Sequence, residues 1–141
     1  MSNIDVANQI ISSMGSQIDL IFTLSVAICG GIIALVFQIA LHNSKREVSP
    51  LKIEWRGLIW SSFLVEGISL LFGYLSRGAI TSNIPSIYKI DFSKINIWGE
   101  ATFGGFCTIK WVINLQFCTF ILGVFLLFLL VIKNLKLIVK D

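Results

Sequence analysis

The chain has 141 residues, of which 55% are hydrophobic and 13% charged, with a net charge of +3 and a mean hydropathy of +0.85. Ordinary soluble domains run about 25% charged, so this composition excludes intrinsic disorder and argues against a water-soluble globule. A domain of this size buries only about 65–70% of the surface its chain exposes, and the apolar excess needs lipid as its solvent. The expected fold is one all-α integral membrane domain over residues 1–141, with three transmembrane helices.

The first segment, Ser2 to Ile18, places Ala7, Ile10, Ile11, Met14 and Ile18 at helical spacing, as an amphipathic helix would. Ser2 and Asp5 have capping-box spacing, and Gly15-Ser16 is expected to allow a bend before the first span. That span runs from about Ile18 to Leu41 and contains no Lys or Arg. It is too long for a signal-peptide core and has no basic segment before it, so it is expected to be retained. Thr23, Ala27, Gly30, Ala34 and Gln38 form a narrow stripe of small and polar residues along it.

A short connection with Lys45, Arg46, Lys52 and Arg56 leads to the second span, about Gly57 to Ile80. Within it Ser62, Glu66, Ser69, Gly73 and Ser76 recur at four-three-four-three spacing. At the α-helical twist they fall within about 80° of arc. Residues 81–106 form an interfacial connection. Ile84, Ile87, Tyr88, Phe92, Ile95 and Trp98 share a helical face, while Tyr88, Ile90 and Phe92 alternate as a strand does. Gly99, Gly104 and Gly105 then mark a flexible re-entry into the third span, about Ile109 to Ile132, whose Gln116, Thr119 and Gly123 make a third polar and small stripe. Lys110 and Asn114 lie on another face of that helix, and both prolines, Pro50 and Pro85, are expected in connections.

The basic first loop, the N-terminal segment without Lys or Arg and the tail with Lys133, Lys136 and Lys140 favour an external N-terminus and a cytoplasmic C-terminus. Isoleucine supplies 23 residues, a composition that fits an AT-rich bacterial or phage genome and hence a bacterial inner membrane.

Cys29, Cys107 and Cys118 share no metal or redox spacing and read as apolar packing residues. His42 stands alone, with no carboxylate or thiolate neighbour that would make a metal site. No glycine-rich phosphate loop is present, so no cofactor is expected. The cations flank the spans, which points to anionic lipid headgroups rather than nucleic acid.

Glu66 is the informative residue, because a carboxylate at mid-bilayer costs about 3 kcal/mol or more unless it meets a partner or water. Counted at the helical rise, it lies roughly 13 Å from the cytoplasmic side, where the other spans offer Ala34 and Gly123. Only Gln38, several ångströms closer to the cytoplasm by the same rise, is expected to reach it. Three placements remain open: a protonated, hydrogen-bonded carboxyl, a contact between copies across a symmetry axis, or a water-lined path. The expected pore or interface residues are therefore Glu66, Ser62, Ser69, Gly73, Ser76, Gln38 and Gln116.

The expected function is that of a small homo-oligomeric membrane protein that passes ions or perturbs the bilayer. In size and topology alone it is similar to phage holins and membrane-damaging bacterial defence effectors. The alternative is a non-enzymatic accessory or anchor subunit bound to another membrane protein. An integral-membrane enzyme needs several convergent polar groups, and the spans offer one carboxylate and a few amides, so no enzymatic activity is expected.

Overall fold

The structure, a computed structural model, describes residues 3–45, 50–87, 102–103 and 107–138. Three helices dominate: α1 (Asn3–Ser44), α2 (Arg56–Ile87) and α3 (Ile109–Ile138). Just before α3, β1 (Thr102–Phe103) and β2 (Cys107–Thr108) pair antiparallel, with Thr102 opposite Thr108 and Phe103 opposite Cys107. Each helix is long and apolar enough to cross a membrane, over Ile4–Ser44, Arg56–Ser82 and Ile109–Leu135, which suggests a membrane location. Residues 88–101 and 104–106, where helix and strand periodicities compete and the glycine re-entry is expected, lie outside the described residues.

Two boundaries differ from the sequence expectation. The N-terminal amphipathic segment and the first span form one unbroken helix, and Gly15-Ser16 does not end it. A helical glycine costs only about 0.5–1 kcal/mol relative to alanine. Met14 and Ile18, on either side of it, are both buried against α2 and α3, which keeps the helix continuous. Gly15 serves close approach instead, since a Cβ there would lie 2.9 Å from Arg77 Nη1. The second difference is Pro85, which lies inside α2 near its end rather than in a connection. A proline there removes one ladder bond of the last turns, where the helix is already ending.

α2 is the central element. α3 packs along most of it and α1 lies on another side, while α1 and α3 barely touch. Two apolar clusters tie the bundle at its ends. Near the β-ladder, Met14 and Ile18 of α1 meet Ala79 and Ile80 of α2 and Ile109 and Ile113 of α3. Near the α1–α2 loop, Ile32, Ile59 and Leu130 come one from each helix. The outer surface is apolar on all three helices, with Phe37, Leu64 and Phe128 each at least 60% exposed. Such a surface is stable in lipid and a liability in water.

The loop between α1 and α2 is held by two asparagines acting in the same way. Asn43 accepts from Leu51 N–H at 2.7 Å and donates to Leu51 C=O at 3.3 Å. Asn134 of α3 accepts from Glu54 N–H at 3.0 Å and donates to Glu54 C=O at 3.2 Å. Each side-chain amide thus satisfies both backbone groups of one loop residue. The next residue, Trp55, has φ 58°, a left-handed conformation that is rare for a bulky side chain. Its ring lies under Lys133, 4.7 Å from ammonium to centroid, and its C=O accepts from Leu58 N–H at 2.8 Å to start α2. The grip of α3 on Glu54 and Trp55 sets where α2 begins.

Removing that grip has a readable cost. Asn134→Ala strips both partners from Glu54 and is expected to destabilise the protein by about 1–3 kcal/mol, seen as a lower thermal midpoint in detergent. Asn114→Ala, at an exposed site on the same helix, is expected to stay within about 0.5 kcal/mol of wild type.

Candidate functional site: a polar seam inside the bundle

The polar residues of α2 face inward, toward the other two helices of the same chain. Ser62, Glu66, Ser69 and Ser76 are all 0% exposed, and Gly73 is buried. Their four-three-four-three spacing places them on one face, and that face meets α3. Ser62 donates to Gly123 C=O at 2.9 Å. Seven residues further along α2 and seven back along α3, Ser69 donates to Gln116 C=O at 3.1 Å. The two bonds repeat the same antiparallel register, the heptad repeat that keeps two helices in contact.

Glycines complete this register. A Cβ on Gly123 would overlap Glu66 Oε1 and come within 2.8 Å of its Cδ. A Cβ on Gly73 would come within 2.6 Å of Gln116 Nε2 and 3.1 Å of Phe22 Cδ2. Each helix therefore offers one long polar side chain and one glycine notch: Glu66 of α2 enters the notch of α3, and Gln116 of α3 enters the notch of α2. Small residues let the backbones approach, and the polar side chains fill the space so created.

α1 closes the seam with a different face from the one expected. Thr23, Ala27, Gly30 and Ala34 lie exposed on the outer side of α1, and Gln38 is exposed nearer its loop end, with nothing within 4 Å of a Cβ built on Gly30 or Gly31. The inward face carries Ile18, Ser25 and Ile32, each seven residues after the last. Bulky aliphatic side chains fill the wedge between α1 and α2, which small residues would leave as voids. Ser25 is the exception on that face, and it donates to Ser69 at 3.2 Å. It also faces the Glu66 carboxyl. Gln116 reaches α1 as well, donating to Ile18 C=O at 3.4 Å.

Six of the expected site residues thus converge: Ser62, Glu66, Ser69, Gly73, Ser76 and Gln116. Gln38 does not join them. It lies near the loop end with His42, Leu51 and Asn134, lining a crevice of about 430 Å³ between α1 and α3. Sequence reasoning missed Ser25, whose heptad spacing from Ile18 and Ile32 was the available signal. It also missed Asp19, which pairs with Arg77 at 3.1 Å on the half-exposed surface beyond Ser76.

The seam is rich in oxygen and poor in donors. Both Glu66 oxygens, Ser76 Oγ and Gln116 Oε1 are buried and have no hydrogen-bond partner among the described residues. Apolar clusters seal both ends, Ala79 and Ile80 beyond Ser76 and Ile59 before Ser62. Cys29 and Cys118 are free thiols, and no group of three or more His, Cys, Asp or Glu residues is placed to hold a metal ion among the described residues.

Comparison of the chain with protein-family models, with curated proteins and with solved structures finds no match.

The notch is directly testable. Gly123→Ala is expected to destabilise the bundle by about 1–3 kcal/mol, because the carboxyl it displaces is enclosed by helices. Gly123→Ala/Glu66→Ala is expected to recover part of that loss, with a coupling of about 0.5–3 kcal/mol in thermal unfolding. Strictly additive losses would show that the two residues do not share the notch.

Proposed function

We propose that the chain is a small membrane protein that assembles with copies of itself and passes cations across the bilayer or perturbs it, as a non-enzymatic component of a bacterial inner membrane. The observation that supports this reading is Glu66, a carboxyl enclosed at mid-helix with no cation paired to it among the described residues. Intramembrane carboxyls are costly and usually belong to ion or proton paths. The surrounding hydroxyls and carbonyls are the groups from which cation pathways are built.

Three helices enclose no wide path, so a pathway along this seam requires α2 and α3 to separate or several copies to combine. The seam face of α2 is already filled by α3, which leaves the outward stripe of α1, with Gly30, Gly31 and Ala34, as the face for a second copy. Small residues at such a face allow close helix contact. The same open stripe favours one other reading, an anchor or accessory subunit whose α1 receives a helix of another membrane protein. The mass of the purified protein in detergent separates them: a defined oligomer supports self-assembly, and a monomer supports the accessory role.

Liposome flux tests the role of Glu66. Glu66→Gln keeps size and removes charge, so it is expected to assemble normally and lose most cation flux, with Glu66→Asp intermediate. Wild-type protein that passes no ions would remove the pore reading.

The proposed orientation has the N-terminus outside and the loop with Lys45 and Lys52 in the cytoplasm. In a cysteine-free background, Ser44→Cys is expected to react with impermeant thiol reagents only from the cytoplasmic side, and Ser93→Cys only from outside. The reverse pattern would invert the orientation.

A further inference from the structure

Two of the hydroxyls beside Glu66 are committed elsewhere, and the third, on Ser25, lies between Ser69 and the carboxyl. Ser25 donates to Ser69, Ser69 donates to Gln116 C=O, and Ser62 donates to Gly123 C=O. Ser25 also faces the carboxyl, so its one hydrogen is the most these hydroxyls can offer Glu66, whose two oxygens are fully buried and have no hydrogen bond among the described residues. The same hydroxyl oxygens keep free lone pairs, and so do the two carbonyls. Of the cations nearest in sequence to the seam, Arg77 pairs with Asp19 and Lys110 is exposed at the start of α3. A single buried carboxylate among neutral oxygens, with no cation paired to it among the described residues and at most one donor, is complementary to one positive charge.

We propose that Glu66, with the oxygens of Ser62, Ser25, Ser69 and Gly123, forms a binding site for one small monovalent cation, H⁺ or Na⁺. The charge count selects the class. One carboxylate neutralises one unit charge, whereas hard divalent cations recruit several carboxylates or keep several waters. The ligand type agrees, since hydroxyl, carbonyl and carboxylate oxygens are hard donors, and no group of three or more His, Cys, Asp or Glu residues is placed to hold a metal ion among the described residues. The glycine notch at Gly123 is what allows a backbone carbonyl and a carboxyl to share one small space. The apolar clusters above and below isolate the charge from bulk water, so the occupant is held until the bundle opens.

The inference rests on the reading of Glu66 as the cation-handling group of the seam, yet it is tested at equilibrium and without flux. The probe is dicyclohexylcarbodiimide, which enters apolar sites and reacts with a protonated carboxyl. The carboxyl proton moves to a carbodiimide nitrogen and the carboxyl oxygen bonds the central carbon. The adduct rearranges to an N-acylurea with no leaving group, so the chain gains the mass of one reagent. The full chain in detergent is labelled across a pH series in sodium chloride or choline chloride of equal ionic strength, and the modified peptide is identified by mass.

If Na⁺ is the occupant, labelling at Glu66 slows about tenfold at a sodium concentration ten times its Kd, and sodium raises the thermal midpoint. If H⁺ is the occupant, labelling falls as pH rises and is the same in both salts. Ser62→Ala and Ser69→Ala, which keep the carboxyl, are expected to weaken sodium protection in the first case and to shift the pH profile in the second. Labelling of Glu66 that is absent throughout, or indifferent to both pH and sodium, overturns the site. A cation-dependent label without liposome flux would leave the site standing and remove the pore. Flux with an indifferent label would do the reverse.

Discussion

The close approach of α2 and α3 at Glu66 and Gly123 is the constraint on which the rest of the bundle depends. A side chain as long as glutamate fits between two helix backbones only where the facing residue has no side chain. That requirement fixes one point of contact, and the reciprocal pair Gln116 and Gly73 fixes a second one heptad away. Two points on antiparallel helices determine register, and the serine-to-carbonyl bonds at Ser62 and Ser69 then follow from it. In lipid, where apolar faces gain little by meeting each other, such polar and steric matches do the selecting that hydrophobic burial does in water.

α1 is attached by weaker means. It contributes Met14, Ile18 and Ile32 to the apolar clusters, Ser25 to the seam, and Asp19 to an ion pair with Arg77 whose side chains are 54% and 55% exposed. An ion pair that exposed stabilises by about 0–1 kcal/mol in water. Little contact with α3 and a wholly open outer stripe leave α1 the helix with most free surface. In the proposed function this separates two tasks: α2 and α3 form the polar interior, and α1 offers the face for assembly.

Much of this was legible in the sequence, and the residues show why the rest was not. Three helices followed from run length and charge depletion, because those properties belong to a segment alone. The stripe on α2 was legible for the same reason: five residues within a narrow arc can only face one way. On α3, Gln116, Thr119 and Gly123 were read as a second stripe, and two of the three are buried against α2, with Thr119 at the edge. The α1 stripe misled because small residues at helical spacing signal close packing in general and do not say with what. Ala27, Gly30 and Ala34 point outward, while Ser25, on a stripe of isoleucines, points in. Asp19 and Arg77 also escaped, since which residues of two spans meet depends on how the helices lie side by side, and the pattern of one helix alone does not carry that.

Enclosing the carboxyl within one chain changes how a cation pathway can operate. A ring of acidic residues around a symmetry axis would hold charge in a permanent, hydrated lumen, and conduction would depend on assembly alone. Here the carboxyl is enclosed between helices, with apolar clusters at both ends and no cation paired to it among the described residues. In the proposed function a closed seam of this kind holds its cation and does not conduct it. Conduction in the proposed function therefore requires the α2–α3 contact to loosen, and the groups that resist loosening are the glycine notches and the serine bonds themselves. The most costly polar residue in the chain is thereby placed at the contact that must move, and a change in its occupancy acts directly on that contact. Assembly through α1 leaves α2 and α3 free to make such a movement, because the two faces share no residues.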